Sequence, residues 1–312
     1  MRRSLRMARA GLVVATIALG LALPEAAHAA PGPIYLVDRV EPGGGKVIRV
    51  NRQTGAQSVV SADTRFRDLF GITMAANGTL LVADQDALGG PGAIFRVNPA
   101  NGNTTVVSSG GKFRAPSGIA VEDSGRIVVA DPAAFPPDVR GGVIRVNPAN
   151  GRQTVVSRDG LFKNPRGLTV APNGSIFVAD EHAFGGPGGV IKVNPQSGAQ
   201  TNVASGTPFR NPLGIAIAST GRIIVGDENA FGGTGAVIRV NVKTGDVTKV
   251  ASGDKLNTVS GVDILPSGDI LVANQNGLQG GDGGIVRVNA TGGQTVVSSG
   301  DRFRDPVDLV IP

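Results

Sequence analysis

The stretch GLTVAPNGSIFVAD at residues 167–180, continued by GVIKVNPQSGAQTNVA at 189–204, decides the fold. Gly167–Ala171 and Ser175–Ala179 read as short strands around a tight Pro-Asn-Gly turn. Gly189–Asn194 and Ala199–Ala204 read as two more around Pro195-Gln196-Ser197-Gly198. A glycine-rich loop, 181–188, separates the two pairs, and no apolar spacing of helical period interrupts them. Four antiparallel runs of this kind make one blade of a β-propeller.

The unit recurs along the chain. Its opening glycine stands at Gly71, Gly118, Gly167, Gly214 and Gly261, with Asp308 in that place in the last copy, at spacings of 47, 49, 47, 47 and 47 residues. A period of that length is typical of propeller blades. The ends complement one another. The first copy begins with a second strand, Ile34–Asp38, followed by Lys46–Val50 and Gln57–Ser61, and the last residues, Asp308–Ile311, supply only a first strand. The expectation is an all-β, six-bladed propeller over 30–312, a single domain in which the C-terminal strand completes the N-terminal blade and leaves no open sheet edge at the seam.

Residues 1–29 lie outside the repeat and read as an export signal: Arg2, Arg3, Arg6 and Arg9, an apolar run over 10–23, and Ala27-His28-Ala29 before the cut. The expected mature chain is secreted or periplasmic and has no membrane insertion. Its formal charge falls from +6 to +3 with the leader. Its basic residues are scattered and have few aromatics beside them, which argues against nucleic acid. The absence of cysteine removes disulfides, thiol nucleophiles and thiolate metal sites.

Short turns gather at one end of such a ring and the longer loops at the other, so binding chemistry is expected on the long-loop face. There each second strand ends in Asp38, Asp84, Asp131, Asp180, Asp227 or Asn274. Each blade-to-blade segment carries Arg304, Arg67, Arg114, Lys163, Arg210 or, in the blade of Asn274, Asn257. The joint exception suggests an ion pair within each blade, replaced once by amides. The phenylalanines beside these cations, Phe113, Phe162, Phe209 and Phe303, read as packing between blades.

Departures from the repeat are the better site candidates. Asp308 replaces the opening glycine, Asp263 stands where other copies have Thr, Ala or Val, and Arg166 precedes Gly167. All three belong to first strands, which line the channel. His182, the sole histidine of the mature chain, and Glu181 sit on a glycine-rich loop. The longer loop after Asp131, with Pro132, Pro136, Pro137 and Arg140, reads as a stiff lip. No cofactor is expected, although a divalent cation such as calcium or magnesium has Asp263 and Asp308, or the loop 280–284, as weak ligands.

The runs Phe113–Ala120, Arg126–Asp131 and Gly142–Gly151 resemble the NHL-type propeller repeat, which implies the fold over the whole mature chain. Two enzyme families are distantly similar. The gluconolactonase and regucalcin-like propellers take metal ligands from Asn or Asp before the opening glycine, where this chain has Phe70, Ser117, Arg166, Leu213, Ser260 and Val307. The streptogramin lyases imply a magnesium-assisted elimination that uses more than one histidine, and here only His182 is available. The reading is a monomeric binding module for an unidentified small molecule, glycan or protein at the channel on the long-loop face. A lyase or lactone hydrolase using Asp263, Asp308, Arg166, His182 and Glu181 is the alternative, and a purely structural envelope role is a third.

Overall fold

A computed structural model describes residues 32–40, 44–136, 141–218, 220–276, 278 and 282–312; the expected leader lies outside them. Six four-stranded antiparallel sheets form the blades. The innermost strands are β4 (Leu69–Met74), β8 (Ile119–Val121), β12 (Pro165–Val170), β16 (Pro212–Ile217), β20 (Val259–Ile264) and β24 (Pro306–Val310), and each touches the next around a closed ring. Blade 1 takes β24 from the C-terminus and β1 (Ile34–Val40), β2 (Gly44–Val50) and β3 (Gln57–Ser61) from the N-terminus. Tyr35, Leu36 and Val37 pair with Val310, Leu309 and Asp308, so the seam closes as the complementary ends predict.

The apolar density sits between blades rather than within them. Among the described residues there are six clusters, one at each blade junction, and each holds one fully buried large residue from a blade-to-blade segment: Phe66, Phe113, Phe162, Phe209, Leu256 or Phe303. Removing each of these from water stabilises the ring by about 2–3 kcal/mol. The second strands of blades 2 to 4, β5 (Leu80–Asp84), β9 (Ile127–Asp131) and β13 (Ile176–Asp180), are buried along their whole length. A blade packs a neighbour on each face, so both faces of such a strand must be apolar. Their continuous Ile, Val and Leu runs follow from that.

The opening glycine has a steric cause. A Cβ on Gly71, Gly118, Gly167 or Gly214 would overlap the backbone carbonyl oxygen of Ser117, Arg166, Leu213 or Ser260 on the next blade's inner strand. Inner strands approach too closely there for any side chain. At Gly261 the same space holds Oδ1 of Asp308. The one copy without the glycine thus fills its neighbour's gap with a carboxylate.

Blades are also laced along their outer strands. Gln200 Nε2 donates to Ser157 Oγ at 2.9 Å and to Asp159 O at 3.1 Å, and its Oε1 accepts the Leu161 amide at 2.7 Å. Gln153 and Gln57 do the same toward Ser108 and Ser298. These glutamines recur at one place in the repeat, which is the signal that identifies them. The sequence reading passed over them.

Candidate functional site at the central channel

The channel is lined by the residues that open each inner strand, among them Phe70, Arg166, Leu213, Ser260, Val307 and Asp308. Its free space is about 30 Å³, on the order of two water molecules. Arg166 and Phe70 come from blades separated by one blade, and the guanidinium lies 5.4 Å from the phenyl centroid. Together they bridge the mouth. Arg166 Nε is 3.1 Å from Glu181 Oε1, and the other Glu181 oxygen accepts from Asn164 Nδ2. Burial pushes the Glu181 carboxyl up, with Arg166 opposing the shift. His182 is adjacent but exposed, and its amide donates to Asp180 Oδ1 at 3.0 Å.

Asp308 lies within the closing strand β24, and Asp263 lies beside its end on β20. Asp308 Oδ2 accepts the Ile72 amide of blade 2 at 3.0 Å, and Oδ1 accepts the Leu309 amide at 2.9 Å. Asp263, on blade 6, accepts the Ile311 amide at 3.0 Å and the Ile264 amide at 2.8 Å. Burial in the ring raises Asp308 to about 7 and Asp263 to about 6, against the pull of those amides. The charge of Asp263 adds to the rise at Asp308. Asp308 and Arg166 share the channel, whereas Asp263 opens into a cleft at the short-turn end beside Leu265 and Pro312. The five candidate residues therefore divide into a mouth group, Arg166, Glu181 and His182, and a strand-clasping pair, Asp263 and Asp308.

The second-strand aspartates meet the predicted segments, but through the main chain. Asp84 accepts the amides of Arg67 and Asp68 at 2.8 and 3.1 Å, and Asp131, Asp180 and Asp227 repeat the pattern with Arg114, Lys163 and Arg210. The guanidinium of Arg114 turns instead to the carbonyls of Gly111 and Phe113. The expected ion pair is thus a backbone clasp. A buried carboxylate satisfies amides that would otherwise be orphaned, and Asn274 does this for Asn257 at 2.9 Å. In blades 2 to 5 an oxygen also takes the amide two residues on, as in Asp86 to Asp84 at 3.1 Å. Asp38 sits in a continuous hairpin, has Oδ1 without a partner among the described residues, and is raised by burial to about 6.

The long loops hold a feature the sequence reading did not use. A buried alanine, Ala87, Ala134, Ala183 or Ala230, is followed by Leu88, Phe135, Phe184 or Phe231 at a φ between 55° and 64°. Leu88 and Phe231 are 49% and 39% exposed. The repeated Ala-Leu/Phe pair was the available signal. Of the stiff lip after Asp131, residues 137–140 lie outside the described residues, as do 280 and 281 of the weak calcium loop. Among the described residues no three His, Asp or Glu side chains converge on a metal position.

Ring and channel together define a six-bladed β-propeller. No family profile and no curated protein matches the sequence. Among solved structures the chain is similar to TolB from Acinetobacter baumannii, with a TM-score of 0.67 at 11% identity over 89% of this chain and 66% of that one. It is similar to a chain of a nidogen/laminin complex, at 0.66 and 13% over 89% and 97%. It is also similar to a catalytically inactive virginiamycin B lyase from Staphylococcus aureus solved with quinupristin, at 0.60 and 13% over 89% and 88%. The chain spans slightly under two thirds of the TolB chain. At these identities the likeness establishes the fold, and a fold of this kind hosts unrelated functions.

Proposed function

We propose that the protein is an exported binding module whose ligand, a small molecule, glycan or protein, engages the long-loop face around the channel mouth. The observation that supports this is the set of bulky residues held at positive φ on equivalent loops. Each such conformation costs about 1–2 kcal/mol, and repeated strain on one rim marks a surface kept for contact. Leu88 and Phe231 supply apolar contact area, and the exposed His182 and the Arg166 at the mouth supply polar groups on the same face. The channel's free space, about 30 Å³, leaves the larger contact area to the loops around its mouth.

The test uses the exported chain, expected by mass spectrometry to begin at Ala30. Its binding to a glycan array and to purified exported proteins is compared with that of Leu88→Asp and Phe231→Asp. The expected result is a ligand retained by the parent and lost by both variants at unchanged melting temperature. The second reading, a lyase or lactone hydrolase, draws on Asp308 as an acid near neutrality in the same channel as Arg166. Turnover of a lactone or streptogramin that disappears in Asp308→Asn would replace the binding reading with it.

A further inference from the structure

On the short-turn end, opposite the long-loop face, a cleft of about 690 Å³ opens between blades 4 and 5. That size is within the range of small-molecule sites. Four cations line it, Lys192, Arg222, Arg239 and Lys243, against one carboxylate, Asp246. The Asp246 Oδ2 already accepts from Thr244 Oγ1 at 2.5 Å. Its apolar wall includes Ile217 and Val242.

The repeat shows why this cleft differs from its equivalents. Arg145 of blade 3 occupies the same third-strand position as Lys192 and Arg239. It is held by Glu122 through Nε at 2.8 Å and NH2 at 2.5 Å, and it donates to Pro195 O of blade 4 at 3.1 Å. Arg287 of blade 6 is likewise held by Asp269. In blades 4 and 5 the place of Glu122 is taken by Ala171 and Ala218, as it is by Ala75 in blade 2, but there Arg96 NH2 donates to Pro148 O of the next blade at 3.3 Å. Among the described residues, neither Lys192, Arg222 nor Arg239 has a side-chain hydrogen bond or an ion pair. Cations in excess on one cleft, with Asp246 engaged by Thr244 and Asp263 in the adjoining cleft by backbone amides, favour an anion among them, and guanidinium forks suit planar oxyanions in particular.

We propose that this cleft binds a small organic anion, a carboxylate, sulfonate or phosphate carried on an apolar body. Lys192, Arg222 and Arg239 hold the charged group, and Ile217 and Val242 cover the apolar part. The site is independent of the long-loop face, and either could fail without the other.

The probe is 1-anilinonaphthalene-8-sulfonate, titrated into the mature chain and followed by fluorescence, with decanoate and inorganic phosphate as competitors. One saturable site is expected, displaced by decanoate at concentrations at least tenfold below those of phosphate. Ala218→Glu, which recreates at Arg239 the pair made by Glu122 and Arg145, is expected to weaken binding tenfold or more. Arg239→Gln and Lys192→Gln are expected to do the same, whereas Arg287→Gln leaves binding unchanged. Circular dichroism melting checks that each variant is folded, and two separate positions keep the test open if one is not. Binding that survives all three cleft variants overturns the site, as does the absence of saturable binding. Equal displacement by phosphate and decanoate overturns the apolar half.

Discussion

The chain itself crosses every blade junction, and inside blades 2 to 6 a short turn joins the first strand to the second. In blade 1 those two strands, β24 and β1, come from opposite ends of the chain, and the ring uses different chemistry there. Where the chain runs on, the inner strands need only approach. From blade 2 to blade 5 a glycine admits the next blade's carbonyl. At the seam no turn ties β24 to β1, and three carboxylates act on the strand and its approach. Asp38 accepts the amide of Arg304 at 2.9 Å, Asp263 that of Ile311, and Asp308 reaches from β24 to Ile72. Above them Arg39 joins Asp305 at 2.7 Å and Asp68 at 3.7 Å across the junction of blades 1 and 2. The lesson is that sheet pairing alone does not complete the circle. Polar clasps replace the missing connection, and each carries a cost in buried charge.

The sharpest way to break the comparison is to exchange the devices. Gly167→Val drives a side chain into the Leu213 carbonyl and is expected to cost at least about 3 kcal/mol in urea unfolding. Asp308→Gly, which restores the repeat, is expected to destabilise rather than help, because the buried Ile72 amide loses its acceptor. A stabilised Asp308→Gly at about pH 5 would undo the seam argument. Somewhat smaller is the loss in Asp84→Ala, about 2–3 kcal/mol for three orphaned amides. Asp84→Asn should cost under about 1 kcal/mol, since Asn274 serves in blade 6.

The seam also predicts a pH dependence. Burial raises Asp308 to about 7 and Asp263 and Asp38 to about 6 from an ordinary 3.8. Between those limits the folded chain holds protons that the unfolded chain has released. The contribution is complete below about pH 4 and is lost as pH rises through 6 to 7. Unfolding free energy is therefore expected to be lower at about pH 8 than at about pH 5, by on the order of 5 kcal/mol for the three groups together. Hydrogen exchange should show β24 opening first at the higher pH, and the double variant Asp263→Asn, Asp308→Asn should flatten the profile. Gln200→Ala is the smallest change, about 1–2 kcal/mol for an outer latch that recurs between blades, including the one beside the seam.

The amino-acid sequence by itself determined the period, the four strands per blade, the six blades and the complementary ends. Those depend on local alternation, turn residues and counting, which survive without any knowledge of contacts. It also located the aspartates and their partner segments, but not the bond between them. Charge opposite charge is legible in a sequence, whereas an amide needing an acceptor is invisible until the backbone is placed. Asp308 was marked by its departure from the glycine series. Only the tertiary structure could decide that its carboxylate fills the space beside Gly261 and bonds the amide of Ile72, residues 47 and 236 positions away. The cleft between blades 4 and 5 was hidden for the same reason. Ala171 and Ala218 look unremarked in sequence, and the cluster of cations beside them, none with a side-chain hydrogen bond or ion pair among the described residues, arises where two blades meet.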